Sequence, residues 1–315
     1  MPPAIEVVGL VHRFGKVTAL DGLSLSAEAG ELFGLVGPDG AGKTTTLRAM
    51  AGLIRPTGGH VRILGREATD GRVREDIGYM PERYSLYGDL SVEENLDFFG
   101  RIFCLERAAY EARAKRLLAL MRLDAYRDRR ADALSGGMYK KLALAAAMLH
   151  QPRVLLLDEP TNGVDPVSRL DLWGLLHEFV SEGMAVVVAT AYMDEAERCH
   201  RVAVLHQGRV VLEGRPRELV AGFEDHVLRV EPADARAMEV VSGLGPRVGS
   251  CTVRGECLRL IVRAAALGEV TQAIGAAGLT WAVQRPTFED LFVAREGVGQ
   301  SWTDVQHHER AGRGN

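Results

Sequence analysis

Lysine is scarce in this chain. Of 38 basic residues, only Lys16, Lys43, Lys115, Lys140 and Lys141 are lysines, so a lysine inside a motif stands out. The four cysteines, Cys104, Cys199, Cys251 and Cys257, form no CxxC pair, which argues against a disulfide frame or a zinc site. The nine histidines show no HExxH spacing, removing a common metalloenzyme pattern. Apolar runs such as LALAAAML (142–149) fall far below the ~20 residues that cross a bilayer. The start, MPPAIEVVGL, has neither a basic segment nor a long apolar stretch, so no signal peptide is expected. A net charge of −4 gives no electrostatic case for nucleic acid or anionic lipid as partner. The chain is expected in the cytoplasm, or peripheral on the inner face of the cell membrane.

What is present is an ordinary globular composition, with 47% hydrophobic residues in 315, enough for one large or two modest domains. ELFGLVG (31–37), RVLLLDEP (153–160) and MAVVVAT (184–190) are short uninterrupted apolar runs, the pattern of strands buried on both faces of a parallel sheet. RVAVLHQGRVVLEG (201–214) is a strand pair around Gln207-Gly208. Helical periodicity fills about 91–150, and Ser91 followed by Glu94 is a capping-box signature. From 226 the order strand, helix, hairpin, helix, strand is a βαββαβ, ferredoxin-like plan. The hairpin is expected to turn near Arg254-Gly255, and the short helix TFEDLFVAR closes the plan. The polar, glycine-rich stretch 297–315 is expected to be disordered.

Three motifs carry chemistry. GPDGAGKT (37–44) fits GxxxxGK[ST] between a strand and a helix, a phosphate-binding loop. Its glycines let backbone N–H groups approach phosphate oxygens at a helix N-terminus. Gly37, Pro38, Asp39, Gly40, Ala41, Gly42, Lys43, Thr44 and Thr45 are therefore candidates to bind ATP, with Lys43 as point charge and the Thr44 hydroxyl on Mg²⁺. LLLDEP places Asp158 to hold Mg²⁺ and Glu159 to polarise an attacking water. LSGGM (134–138) opens a helix with Ser135, Gly136 and Gly137, a second anion-binding helix start.

Together these motifs resemble the ATP-binding subunits of ABC transporters, over residues 4 to about 222. The TNGVDP segment is similar to the family's D-loop, through Asp165. Phe14 matches the aromatic that stacks on adenine, with core packing as its other reading. The resemblance implies an α/β fold: a P-loop ATPase core with a parallel sheet, an antiparallel N-terminal β part and a helical subdomain at about 91–150, all within 1–222. A small α+β, ferredoxin-like domain follows at 226–296. It also implies a nucleotide-sandwich dimer with a second ATP-binding subunit, in which Ser135–Gly137 act on the partner's ATP, and a separate transmembrane permease as the machine driven. RPTFEDLFVA looks similar to tails of export-type subunits.

Two positions depart from the family pattern. IGYMPERYSLYGDLSVEENL (77–96) resembles the loop that carries a glutamine touching Mg²⁺ or water, and here that position is Glu82. The strand ending in Thr190 is followed in the family by a histidine that contacts the γ-phosphate, and here it is Ala191, which offers no side-chain donor. A tolerated near-isostere and an unfavourable charge are both open for Glu82. For Ala191, one reading pairs this chain, as the slower half, with a different ATPase subunit; the other is a homodimer in which Glu159 suffices. A soluble ABC ATPase without a permease and a non-hydrolysing regulatory subunit are the rival functions.

Overall fold

In a computed structural model describing residues 2–83 and 85–296, the first apolar segments form a hairpin. β1 (Ile5–Phe14) and β2 (Val17–Ala27) alternate buried and exposed residues, as in a sheet packed on one face. β3 (Leu32–Val36) is buried at every position and runs through the glycine loop into α1 (Lys43–Met50). β4 (Gly58–Ile63) and β5 (Arg66–Glu67) complete the first sheet, ordered β2-β1-β4-β5 and antiparallel throughout.

The stretch from 77 opens as a strand, β6 (Ile77–Met80), rather than as loop throughout. Its four residues pair parallel with a strand beginning at Val154. Gly78 lies so close to the helical layer that a Cβ there would sit 2.6 Å from the carbonyl of Ala147. Helices α2 (Val92–Ile102), α3 (Arg107–Met121) and α4 (Gly136–Met148) follow. The capping box of α2 is made in full: Ser91 Oγ accepts from the Glu94 N–H at 3.1 Å, and Glu94 Oε2 accepts from the Ser91 N–H at 2.8 Å.

β7 (Val154–Asp158), α5 (Pro166–Ser181), β8 (Ala185–Thr190), α6 (Met193–Ala196), β9 (Arg201–His206) and β10 (Arg209–Gly214) complete this part. Among the described residues, the second sheet has the order β10-β9-β3-β8-β7-β6, parallel except for the β9–β10 hairpin. β7 and β8, like β3, are buried at every position, each large apolar side chain worth about 1.5–3 kcal/mol when removed from water. The carboxyl ends of β3, β7 and β8 lie side by side, where α/β sheets place their ligands.

The chain divides into two compact units, Met1–Arg215 and the part from Pro216 onward. The helix α7 (Pro216–Ala221) goes with the second unit, so the break falls before the expected 222. There β11 (His226–Glu231), α8 (Ala235–Gly243), β12 (Val248–Arg254), β13 (Cys257–Val262), α9 (Leu267–Ala276), β14 (Thr280–Gln284) and α10 (Phe288–Glu296) follow in turn. The sheet order is β12-β13-β11-β14, antiparallel throughout, and the hairpin turns at Gly255-Glu256. The expected disordered tail 297–315 lies outside the described residues. Among those described, no helix is long and apolar enough to cross a membrane.

The RPTFEDLFVA segment acts as a clasp within this second unit. Asp290, 4% exposed, takes two hydrogen bonds from the Arg259 guanidinium at 2.8 and 2.6 Å. It takes two more from the Thr287 N–H and hydroxyl at 2.6 and 2.7 Å, so one carboxylate starts α10 and ties it to β13. Burial pushes the Asp290 carboxyl up, but Arg259 and Thr287 outweigh it and hold the group below its ordinary value. A depressed carboxylate stabilises the fold above its unfolded pKa of ~3.9 and ceases to as pH falls through the folded value. Asp290→Ala, leaving Arg259 unpaired, should therefore destabilise this unit by about 3 kcal/mol at pH 7. Urea unfolding of the full chain measures it, and the gap between variant and parent should close in strong acid.

Candidate active site

The glycine loop is shaped by what presses on it. β3 delivers the chain to Gly37, whose N–H donates to the Thr190 carbonyl at 3.3 Å. A Cβ on Gly37 (φ 159°) would fall 2.3 Å from the Leu205 carbonyl oxygen, and one on Gly42 (φ 106°) 2.7 Å from Leu20. Ala41 ties the loop down: its N–H donates to Pro38 at 3.1 Å and its carbonyl accepts from Gly208 at 3.0 Å. Gly40 also adopts a positive φ, Asp39 points to solvent, and Thr45 lies half-buried on the first turn of α1. Lys43, 5% exposed, curls over the loop, donating to the carbonyls of Gly37 at 2.8 Å and Pro38 at 3.2 Å.

The carboxylates of LLLDEP meet this loop. Thr44 Oγ1 donates to Asp158 Oδ1 at 3.0 Å, placing a hydroxyl beside a carboxylate at the mouth of the loop. Burial pushes the Asp158 carboxyl up, opposed by the Thr44 hydrogen bond. Glu159 sits at φ 48°, a left-handed conformation that costs an L-residue about 1–2 kcal/mol and turns its side chain out of the strand direction. Its Oε1 lies 3.3 Å from Lys43 Nζ and its Oε2 accepts from the Ala191 N–H at 3.3 Å. Burial pushes the Glu159 carboxyl up as well, opposed by Lys43. What Ala191 contributes is therefore a backbone donor to Glu159.

Several residues at the site carry no motif. Glu195, fully buried, accepts from Thr161 at 2.6 Å and Thr190 at 2.7 Å, with the Trp173 indole N–H at 3.4 Å and Arg169 Nε 3.6 Å away. It joins the segment after β7 to the end of β8, fixing the corner that holds Glu159 and Ala191. In sequence it looks like one more acid on a surface helix. Asn95 is fully buried and pins the Glu82 stretch, accepting from the Tyr87 N–H at 2.9 Å and donating to the carbonyls of Tyr87, Leu90 and Ser91. Lys140 donates to the carbonyls of Glu82 and Glu159, each at 3.1 Å. Only the scarcity of lysine marks it in the sequence. Glu82 itself turns its Oε1 toward Asn162 Nδ2 at 3.4 Å and Arg83 Nε at 3.5 Å.

The remaining candidates lie apart from the loop. Ser135 caps α4, its Oγ accepting from the Met138 N–H at 3.3 Å. A Cβ on Gly136 would fall 2.7 Å from the Gly163 carbonyl, and one on Gly137 2.4 Å from Ser168 Oγ. Asp165 caps α5 through the N–H groups of Val167 and Ser168 at 3.1 and 2.9 Å, and hydrogen bonds from Ser168 hold its carboxyl below the ordinary value. Among the described residues, no hydrogen bond or ion pair joins Ser135–Gly137 to 37–45. Phe14 is 51% exposed, with its ring edge-on to His12 at 4.5 Å. That exposure excludes core packing and leaves a flat face open to a ligand.

The arrangement fits a nucleoside triphosphate with Mg²⁺. A loop whose Gly37 and Gly42 leave no room for a Cβ presents backbone N–H groups beside a helix start, and Lys43 is at hand to leave its loop carbonyls for phosphate oxygens. Thr44 and Asp158 form a two-oxygen donor set, suited to Mg²⁺, which takes few protein ligands and shares the rest with phosphates and water.

The ABC transporter family model matches residues 20–162. The probable multidrug ABC transporter ATP-binding protein YbhF of Escherichia coli is 36% identical over 296 residues, covering 92% of this chain and 51% of the relative. The chain thus spans about half of that relative's length. The Nod factor export ATP-binding protein I of Ralstonia nicotianae is 36% identical over 305 residues, covering 94% of each. A solved dimeric bacterial ABC transporter cassette is 27% identical with a TM-score of 0.62, covering 67% of this chain and 98% of that one.

Proposed function

Because the chain belongs to the ABC transporter family of ATP-binding proteins, we propose that it binds and hydrolyses ATP to power a separate, export-type membrane permease. The observation that carries this is the meeting of Lys43, Thr44, Asp158 and Glu159 in contacts of 3.0–3.3 Å at the carboxyl ends of β3 and β7. Phe14 offers its exposed face to the adenine, and residues 37–45 cradle the phosphates. Thr44 and Asp158 would hold Mg²⁺, which would supply charge neutralisation at the phosphate oxygens. Glu159, held by the Ala191 N–H, orients the attacking water and takes its proton. Glu82 completes the site from the loop facing the permease. Ser135–Gly137, with Asp165 beside them, act on the ATP of a second subunit, in keeping with the dimeric cassette the chain resembles.

The export direction is supported by the multidrug and Nod factor export relatives. The position of Ala191 favours pairing with a different ATPase subunit, leaving this chain's own site the slower of two. Detergent extraction of the tagged chain from membranes tests the whole reading. The expected result is co-purification with a multi-helix permease and ATP turnover that needs Mg²⁺. Turnover without any membrane partner would establish a soluble ATPase instead, and ATP binding without turnover in the complex a regulatory subunit.

A further inference from the structure

Lys140 has no part in the phosphate loop, the carboxylate pair or the signature, yet it lies at their junction. It is 7% exposed, and burying an ammonium costs several kcal/mol unless partners are built for it. The partners present are two backbone carbonyls, those of Glu82 and Glu159, each 3.1 Å from Nζ. The Glu159 carbonyl also accepts from the Asn162 N–H at 3.2 Å. One side chain on α4 therefore ties the start of the Glu82 loop to the turn at the end of β7. It rises from the helix five residues after Ser135, about 7.5 Å along the axis at 1.5 Å per residue.

The charges around it explain why a lysine serves here. The carboxylates of Glu82, Glu159 and Asp158 all favour its charged form, although burial outweighs them. Lys43 and Lys140 are the two buried ammonium groups set against these three carboxylates, and the exposed Arg83 guanidinium adds a third cation 3.5 Å from Glu82. Glu82 supplies the third of these carboxylates, where a glutamine would bring no charge, and Arg83 meets it from the solvent side, at 74% side-chain exposure, where an ion pair is largely screened. Charges a few ångströms apart in a partly buried site are screened far less than they are in bulk water. An ammonium beside the Glu82 backbone can offset the Glu82 charge.

We propose that Lys140 is a positioning residue for ATP hydrolysis, clamping the Glu82 and Glu159 loops and making the Glu82 carboxylate tolerable beside the substrate. The proposal rests on the ATPase reading above. Movement of α4, whose first residues meet the partner's nucleotide, is carried by this clamp to Glu82 and Glu159.

A double-mutant cycle on the purified complex tests it, with ATP hydrolysis and Mg²⁺ dependence as readouts. Lys140→Gln keeps N–H donors and removes the charge, while Lys140→Met removes both. In the parent, Lys140→Gln should lower kcat about 10-fold and raise the Mg²⁺ requirement, with KM for ATP changed less than twofold. Lys140→Arg should restore most of the rate. In a Glu82→Gln background, the same Lys140→Gln change should cost less than threefold. Equal losses in both backgrounds, or no loss in the parent, would overturn the proposal. Hydrogen exchange without nucleotide gives a readout independent of turnover: Lys140→Met should speed exchange at the Asn162 N–H, and unchanged exchange would remove the clamp. A parent complex that hydrolyses no ATP would refute the ATPase reading instead, and exchange would still judge the clamp.

Discussion

Ala191→His should raise ATP turnover at this chain's own site by about 10²-fold, with little change in KM for ATP. A preorganised donor aimed at charge developing in a transition state is worth ~10²–10³ in rate, or ~2.7–4 kcal/mol. Two neighbouring donors are engaged within the corner itself. The Thr190 hydroxyl donates to Glu195 at 2.7 Å, and the Tyr192 N–H donates to Thr190 at 3.0 Å. The Ala191 N–H is turned toward Glu159. The corner is rigid, because Glu195 ties Thr161 and Thr190 together, so a histidine would be presented from a fixed backbone. Single-turnover hydrolysis by the purified complex, with the partner subunit's own site inactivated, isolates the effect. If the variant turns over no faster than the parent, Glu159 and its backbone donor already suffice, and the homodimer reading gains at the expense of the asymmetric one.

How much of this was legible in the sequence depends on how local each feature is. The phosphate loop and the Ser91–Glu94 box are contiguous, so every residue they need lies within a turn or two of chain. β3, β7 and β8 are uninterrupted apolar runs because both faces are covered. β6 escaped because four residues carry no period, and only pairing with β7 makes them a strand. Lys140 and Glu195 escaped for a different reason. Their partners lie 58 and 19 residues away for Lys140, and 34 for the Glu195–Thr161 bond, and charged residues in sequence resemble a solvated face until the fold buries them. LSGGM was legible as a helix start, and Ser135 caps α4. That Gly163 and Ser168 leave no room for a Cβ on its glycines required the tertiary structure.

Glu159→Gln should abolish turnover while leaving the protein intact. General-base catalysis contributes typically 10²–10⁴-fold, so hydrolysis should fall by at least about 10²-fold, with ATP still bound. The substitution preserves shape, and the amide oxygen can still accept from the Ala191 N–H. Lys43 keeps its bonds to Gly37 and Pro38, so the phosphate loop loses one ion pair and no hydrogen-bond anchor. The effect on stability has the opposite sign to the effect on activity. Burial raises the Glu159 carboxyl above its ordinary value; such a group favours the fold below its unfolded pKa and loses that contribution as pH rises through the folded value. At pH 7 the ionised side chain is a cost that a neutral glutamine removes, so the thermal midpoint without nucleotide should rise. Paired measurements of turnover and thermal unfolding, both with and without Mg·ATP, decide the matter. Loss of activity with a lower midpoint would make Glu159 a structural residue. Loss with a higher midpoint, and retained stabilisation by Mg·ATP, identifies a carboxylate kept at the end of β7 for its chemistry and against the preference of the fold.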